Sequence, residues 1–89
     1  MITRDVEIIN RLGLHARAAA KLVECAGRFS SSIKLGKDGN VVDAKSIMSV
    51  MMLAAGKGTW LSVQVDGKDE QQALDAIEQL IGDRFGEPD

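Results

Sequence analysis

Cysteine, proline, histidine and aromatic side chains are all nearly missing from this chain of 89 residues, and each shortage removes a class of function. A single cysteine, Cys25, can form neither an internal disulfide nor a zinc cage, so a reducing compartment is the natural setting. One histidine, His15, without clustered carboxylates leaves nothing to hold a metal. Tyrosine is absent, and Phe29, Trp60 and Phe85 are too few for the stacking platforms that grip single-stranded nucleic acid. The net charge of −2 also speaks against a phosphate backbone as partner. No apolar run approaches the roughly 18 residues of a membrane span. Met1 to Asn10 mixes charges with alternating apolar residues, unlike a signal or transit peptide. What is left is one cytoplasmic domain spanning residues 1–89, of ordinary globular composition. Its small core has little room for a buried catalytic cavity. Function is expected at the surface, with no cofactor, no metal, no nucleic acid and no membrane insertion.

Charge is unevenly spread. Residues 1–45 carry a net +3 and residues 46–89 a net −5. This suits either a basic face turned toward an acidic partner or simply an acidic last helix.

Ile2, Arg4, Val6 and Ile8 alternate with polar residues, which predicts a strand wet on one face. Asn10–Leu14 is a loop. A helix is expected from Ala16 to about Gly27, with Ala19, Leu22, Val23 and Ala26 on one stripe and Gly27 as its C-cap. Ser32–Gly36 and Asn40–Asp43 form two short strands joined by the hairpin turn Lys37-Asp38-Gly39. Ser46 opens a short helix to about Ala54, closed by Gly56. In the strand Thr59–Asp66, Leu61, Val63 and Val65 face inward and Trp60, Ser62 and Gln64 outward. Asp69 caps the last helix, with Gln72 completing a capping box. That helix carries the stripe Ala73, Leu74, Ile77, Leu80, Ile81 and Phe85, and the tail Gly86–Asp89 is expected to fray. The order β-α-β-β-α-β-α, with four half-wet strands, predicts an α+β fold. It is a two-layer open-faced sandwich, a mostly antiparallel four-stranded sheet with three helices on one face.

His15 stands where the loop Leu12-Gly13-Leu14 meets the first helix, at its N-cap. The free amides of Ala16, Arg17 and Ala18 gather there, favouring an anion and disfavouring an imidazolium. A neutral imidazole is a nucleophile, and a phosphoryl group on it would meet those amides. The Arg17 guanidinium can fork onto phosphate oxygens, and Gly13 allows close backbone approach. Spacing alone leaves two readings open: a transient phosphohistidine site, or a solvated loop histidine beside an exposed helix cation. Acyl transfer is less suited, since Cys25 lies about 15 Å further along the helix.

Gly13-Leu14-His15-Ala16-Arg17 resembles the active-site signature of the histidine-containing phosphocarrier family, HPr. Asp43-Ala44-Lys45-Ser46-Ile47-Met48-Ser49-Val50-Met51-Met52-Leu53 resembles that family's regulatory serine region, at matching spacing. The Ala54-Ala55-Gly56-Lys57-Gly58 turn, the length and the element order agree as well. The resemblance implies a relay component of the phosphoenolpyruvate-dependent phosphotransferase system rather than a stand-alone turnover enzyme. By residue match His15 is the phosphoacceptor, on Nδ1, and Arg17 its stabiliser. Enzyme I is then the donor and an EIIA domain the acceptor. Many family members have proline where this chain has Ala18. Alanine keeps an N–H that could serve phosphate and relaxes the first turn slightly. The substitution points toward a nitrogen-branch or proteobacterial variant, and sugar uptake and nitrogen signalling both stay open.

Ser46 as an N-cap explains itself. The resemblance adds phosphorylation by an HPr kinase/phosphorylase, tolerable at a helix N-terminus yet disruptive to an acidic partner. A helix this short cannot bury Ile47, Met48, Met51 and Met52 together, so an adaptable exposed patch is expected. By resemblance Ile47 and Met48 join the His15 loop as the partner face of a monomer, and Arg11, Arg17, Lys21 and Lys45 could rim it. The alternative from a different class is a non-catalytic regulatory module that binds through the Ser46 helix.

Overall fold

The computed structural model describes all residues from Met1 to Asp89. Alternating segments become strands and striped segments become helices, in the expected order. These are β1 (Ile2–Glu7), α1 (Ala16–Gly27), β2 (Ser32–Lys37), β3 (Asn40–Asp43), α2 (Ile47–Met52), β4 (Trp60–Asp66) and α3 (Glu70–Gly82). A 3-10 turn, Arg84–Gly86, follows. The four strands form one sheet in the order β1-β4-β2-β3, and every pairing is antiparallel. The helices cover one face and leave the other open, so the fold is the expected two-layer sandwich.

Register follows from side-chain alternation. Leu61, Val63 and Val65 on β4 and Ile33 and Leu35 on β2 are buried, while Trp60 is exposed. Arg4, the one charged residue in the inward set of β1, reaches Glu78 on α3 at 3.0 Å. Its side chain stays half exposed, so the guanidinium remains wet. Leu22 and Ala26 of α1, Val50 of α2 and Leu74, Ile77 and Ile81 of α3 close the core from above. The β2–β3 turn holds Asp38 and Gly39 at φ of 50° and 85°. Both central residues are thus left-handed, the geometry that matches strand twist in a two-residue hairpin.

Four local expectations need correction. Gly27 is the last helical residue and not a left-handed cap. Right-handed Arg28 closes α1, its N–H donating to the Cys25 carbonyl and the next amide, that of Phe29, to the Ala26 carbonyl. The second helix stops at Met52, short of Ala54. Ala54 turns left-handed at φ 51°, and Lys37 Nζ from β2 donates to the carbonyls of Leu53 (2.9 Å) and Ala54 (3.3 Å), capping that end from outside. Asp69 does occupy the N-cap of α3, but the capping box with Gln72 does not form. The Asp69 carboxylate turns to the Ser30 and Ser31 amides, both at 2.9 Å, and to the Ser31 hydroxyl. These bonds hold its carboxyl at about 2, below the usual carboxylate range. Phe85, expected on the α3 stripe, lies beyond the helix in the 3-10 turn at φ 55°, yet is still buried.

Candidate functional site

The loop between β1 and α1 is set by backbone approach. Gly13 has φ +68°, and a Cβ there would stand 2.6 Å from the Ala55 carbonyl oxygen and 2.8 Å from Gly56 Cα. Only glycine allows this contact, which the Leu14 N–H seals by donating to the Ala55 carbonyl at 2.8 Å. Buried Leu14 anchors the loop from below. His15 follows in extended conformation as the N-cap of α1, and its side chain caps nothing. The Ala19 N–H is the first in the helix to reach a carbonyl, that of His15 at 2.8 Å. The amides of Ala16, Arg17 and Ala18 have no backbone partner, so the helix begins with its positive end open.

The His15 side chain is 28% exposed. Nε2 meets the Glu87 carboxylate, whereas Nδ1 makes no hydrogen bond and stays in contact with solvent. Arg17 lies on the exposed side of the first turn and forms no ion pair. A shallow hollow of about 170 Å³ opens here, walled by Arg11, Leu12, His15, Arg17 and the tail residues Glu87, Pro88 and Asp89. No group of three or more His, Cys, Asp or Glu side chains is placed to hold a metal ion. A larger groove of about 940 Å³ between α1 and α3 shares only Lys21 with the candidate residues.

The tail is the main surprise. Composition predicts fraying over Gly86–Asp89, but the segment is pinned across the site. Lys21 Nζ donates to the Phe85 carbonyl at 2.6 Å, and the Arg11 N–H donates to the Asp89 main-chain oxygen at 2.9 Å. Arg11 also pairs with the Asp89 side chain at 3.4 Å. Asn10, fully buried, donates from Nδ2 to the Gly13 carbonyl (2.8 Å) and to Glu87 (2.9 Å). The Asn10 amide and then the His15 ring hold the Glu87 carboxyl below its usual range. Sequence reasoning missed both Asn10 and Glu87. No local pattern marks a residue whose partner lies more than 70 positions away.

The second region is built differently. Ser46, extended at φ −112°, accepts from the Ser49 N–H at 3.4 Å and so caps α2 with its own hydroxyl. Met48 and Met52 are largely exposed, Ile47 and Met51 less so, and Val50 and Leu53 are buried. The short helix thus divides as its length required. The expected basic rim is only partly free. Lys21 is tied to the tail, and Lys45 Nζ donates to the Phe29 carbonyl at 2.7 Å.

Residues 2–83 match the family described as "PTS HPr component phosphorylation site". The chain belongs to the HPr family. These are the phosphocarrier proteins of the phosphotransferase system. The phosphocarrier protein HPr of Cupriavidus necator is 59% identical over 87 residues, covering 98% of each chain. The crystal structure of HPr-C-His from Thermoanaerobacter tengcongensis superposes with a TM-score of 0.95 at 44% identity, again covering 98% of both chains. A dimeric HPr crystal structure from the same organism gives 0.79 at 45% identity, over 92% of this chain and 94% of that one. No helix of this HPr-family chain is long and apolar enough to cross a membrane.

Proposed function

We propose that His15 takes a phosphoryl group from enzyme I and passes it to an EIIA domain. What carries this reading is the open start of α1, where three unpartnered amides adjoin a partly exposed imidazole. Arg17 supplies a free guanidinium, and the amides of Ala16, Arg17 and Ala18 supply fixed donors. Ala18 is itself buried, so its N–H serves phosphate only through the mouth of the helix. Catalysis then consists of positioning and charge stabilisation. A shallow hollow suits a relay, because the group must leave again.

Partners dock on the apolar surface of α2, with Ile47, Met48 and Met51 at its centre and Lys45 at its margin, while Lys21, held to the Phe85 carbonyl, lines the α1–α3 groove instead. Ser46 is the regulatory position. A phosphate there keeps the helix and repels an acidic partner. The chain works as a single cytoplasmic domain and a monomer; sedimentation as a dimer at micromolar concentration would remove the last assignment.

The deciding experiment is incubation with phosphoenolpyruvate and enzyme I followed by intact mass measurement. The expected result is a gain of one phosphoryl group, acid-labile and base-stable, lost in a folded His15→Ala variant. Labelling that persists in the variant would reject His15. No labelling of the unchanged chain would favour a non-catalytic module acting through α2.

A further inference from the structure

We infer that Glu87 is a positioning residue for phosphoryl uptake, holding the His15 ring with its proton on Nε2 and its lone pair on Nδ1, and that Asn10 clamps Glu87 for this task. This deepens the assignment of His15 as phosphoacceptor and rests on it.

The chemistry starts from what each atom can do. An ionised carboxylate only accepts hydrogen bonds. Glu87 faces Nε2 with one oxygen and the Asn10 amide with the other, and these two donors keep it ionised. Nε2 must therefore carry the proton. A neutral imidazole has one N–H, so the lone pair falls on Nδ1, the nitrogen with no hydrogen bond and with solvent access.

Asn10 shows how strongly the arrangement is enforced. Its Oδ1 is buried without a partner. A polar atom left that way carries a real free-energy cost. The same side chain spends its Nδ2 on the carboxylate and on the loop that leads into α1, tying Glu87 to the turn that presents His15. The tail backbone on either side is held independently by Lys21 and Arg11. The carboxylate thus comes from a fixed position, and its side chain is only 13% exposed.

During transfer the Nδ1 lone pair forms the new N–P bond. The bond from phosphorus to the donor atom of enzyme I breaks, and its electron pair returns to that atom. The His15 ring keeps its Nε2 proton and so becomes cationic. Glu87 faces that charge as it develops, as a carboxylate does behind a catalytic imidazole elsewhere. In the onward step the ring leaves as neutral imidazole and the carboxylate returns to an ordinary hydrogen bond.

The test needs no prior success with phosphorylation. Ring ¹⁵N shifts of His15, read above the pH where the ring titrates, report the tautomer directly. The unchanged chain should be mainly protonated on Nε2. Glu87→Ala should shift population toward the Nδ1–H form and slow uptake from enzyme I by about 10–100-fold. Glu87→Gln can satisfy only one of the two donors and should fall between. Asn10→Ala, checked for folding by circular dichroism, should move the tautomer ratio in the same direction by less. An unchanged ratio in Glu87→Ala would overturn the inference. So would faster uptake, which would make the tail a cover over the site. If the unchanged chain takes up no phosphoryl group, the relay assignment fails, while the tautomer ratio still decides the role of Glu87.

Discussion

The helices α1 and α2 both begin after an extended residue at the molecular surface, and they treat their first amides in opposite ways. At α2 the Ser46 hydroxyl turns back on the Ser49 N–H, so the helix serves its own donor. At α1 the N-cap is a histidine whose ring points to Glu87, so the amides of Ala16, Arg17 and Ala18 are left for something else. A third case sharpens the contrast. The N-cap of α3, Asp69, sends its carboxylate to the Ser30 and Ser31 segment and fastens two parts of the chain together. The same position in three helices thus leaves the amides open, serves the helix itself and fastens tertiary structure. Residue type at the N-cap does not settle which. The direction of the side chain does, and that is set by neighbours.

The largest effect is expected at Arg17. If the α1 terminus is the reactive one, Arg17→Ala should slow phosphoryl uptake by roughly tenfold to a hundredfold with the circular dichroism spectrum unchanged. Kinetics identical to the parent would remove the guanidinium from the site. The equivalent change at α2 should behave otherwise. Ser46→Asp keeps an N-cap acceptor and adds a charge the helix dipole favours, so the fold should hold while affinity for enzyme I drops about tenfold. Unaltered affinity by calorimetry would contradict a docking role for this region.

Acid titration isolates the α3 terminus. The Asp69 carboxyl lies at about 2 in the folded chain, below the roughly 3.9 of an unfolded aspartate. Its contribution is full above about pH 4 and fades as pH falls through about 2, because the unfolded state then binds the proton more readily. Asp69→Asn should lower the melting temperature at neutral pH by several degrees and flatten the acid limb of the stability curve. A parent-like acid limb in that variant would place the titrating group elsewhere. The smallest effects belong to the ends of α2. Ser46→Ala should cost about 0.5–1 kcal/mol in urea unfolding, given the long 3.4 Å bond it removes. Ala54→Gly should add about 0.5–1 kcal/mol, since a left-handed alanine is replaced by the residue that adopts φ 51° without strain.

Much of this was readable along the chain. Alternation in Leu61, Val63 and Val65 located β4 to within one residue and named its buried face. Placing His15 at an N-cap, and expecting that Ile47, Met48, Met51 and Met52 could not all be buried, needed only helical spacing and the shortness of α2. The errors share one cause. The residue type of Gly27 predicts a cap, yet the helix ends right-handed at Arg28. The Asp69–Gln72 box was locally sound, but Ser30 and Ser31 offered the carboxylate three donors from 38 or 39 residues away. The tail looked frayed because nothing in Gly86–Asp89 shows that Lys21, Arg11 and Asn10 lie beneath it.

Periodicity, capping residues and the position of one histidine, all properties of neighbours in sequence, determined the layers, the strand faces and the helix end at which His15 stands. Only the folded chain decided which nitrogen of that histidine is engaged. The groups that engage it, Asn10 and Glu87, meet because β1 leads its loop to the point where the last turn returns. A hydrogen bond between residues so far apart exists only after the core has brought their backbones together.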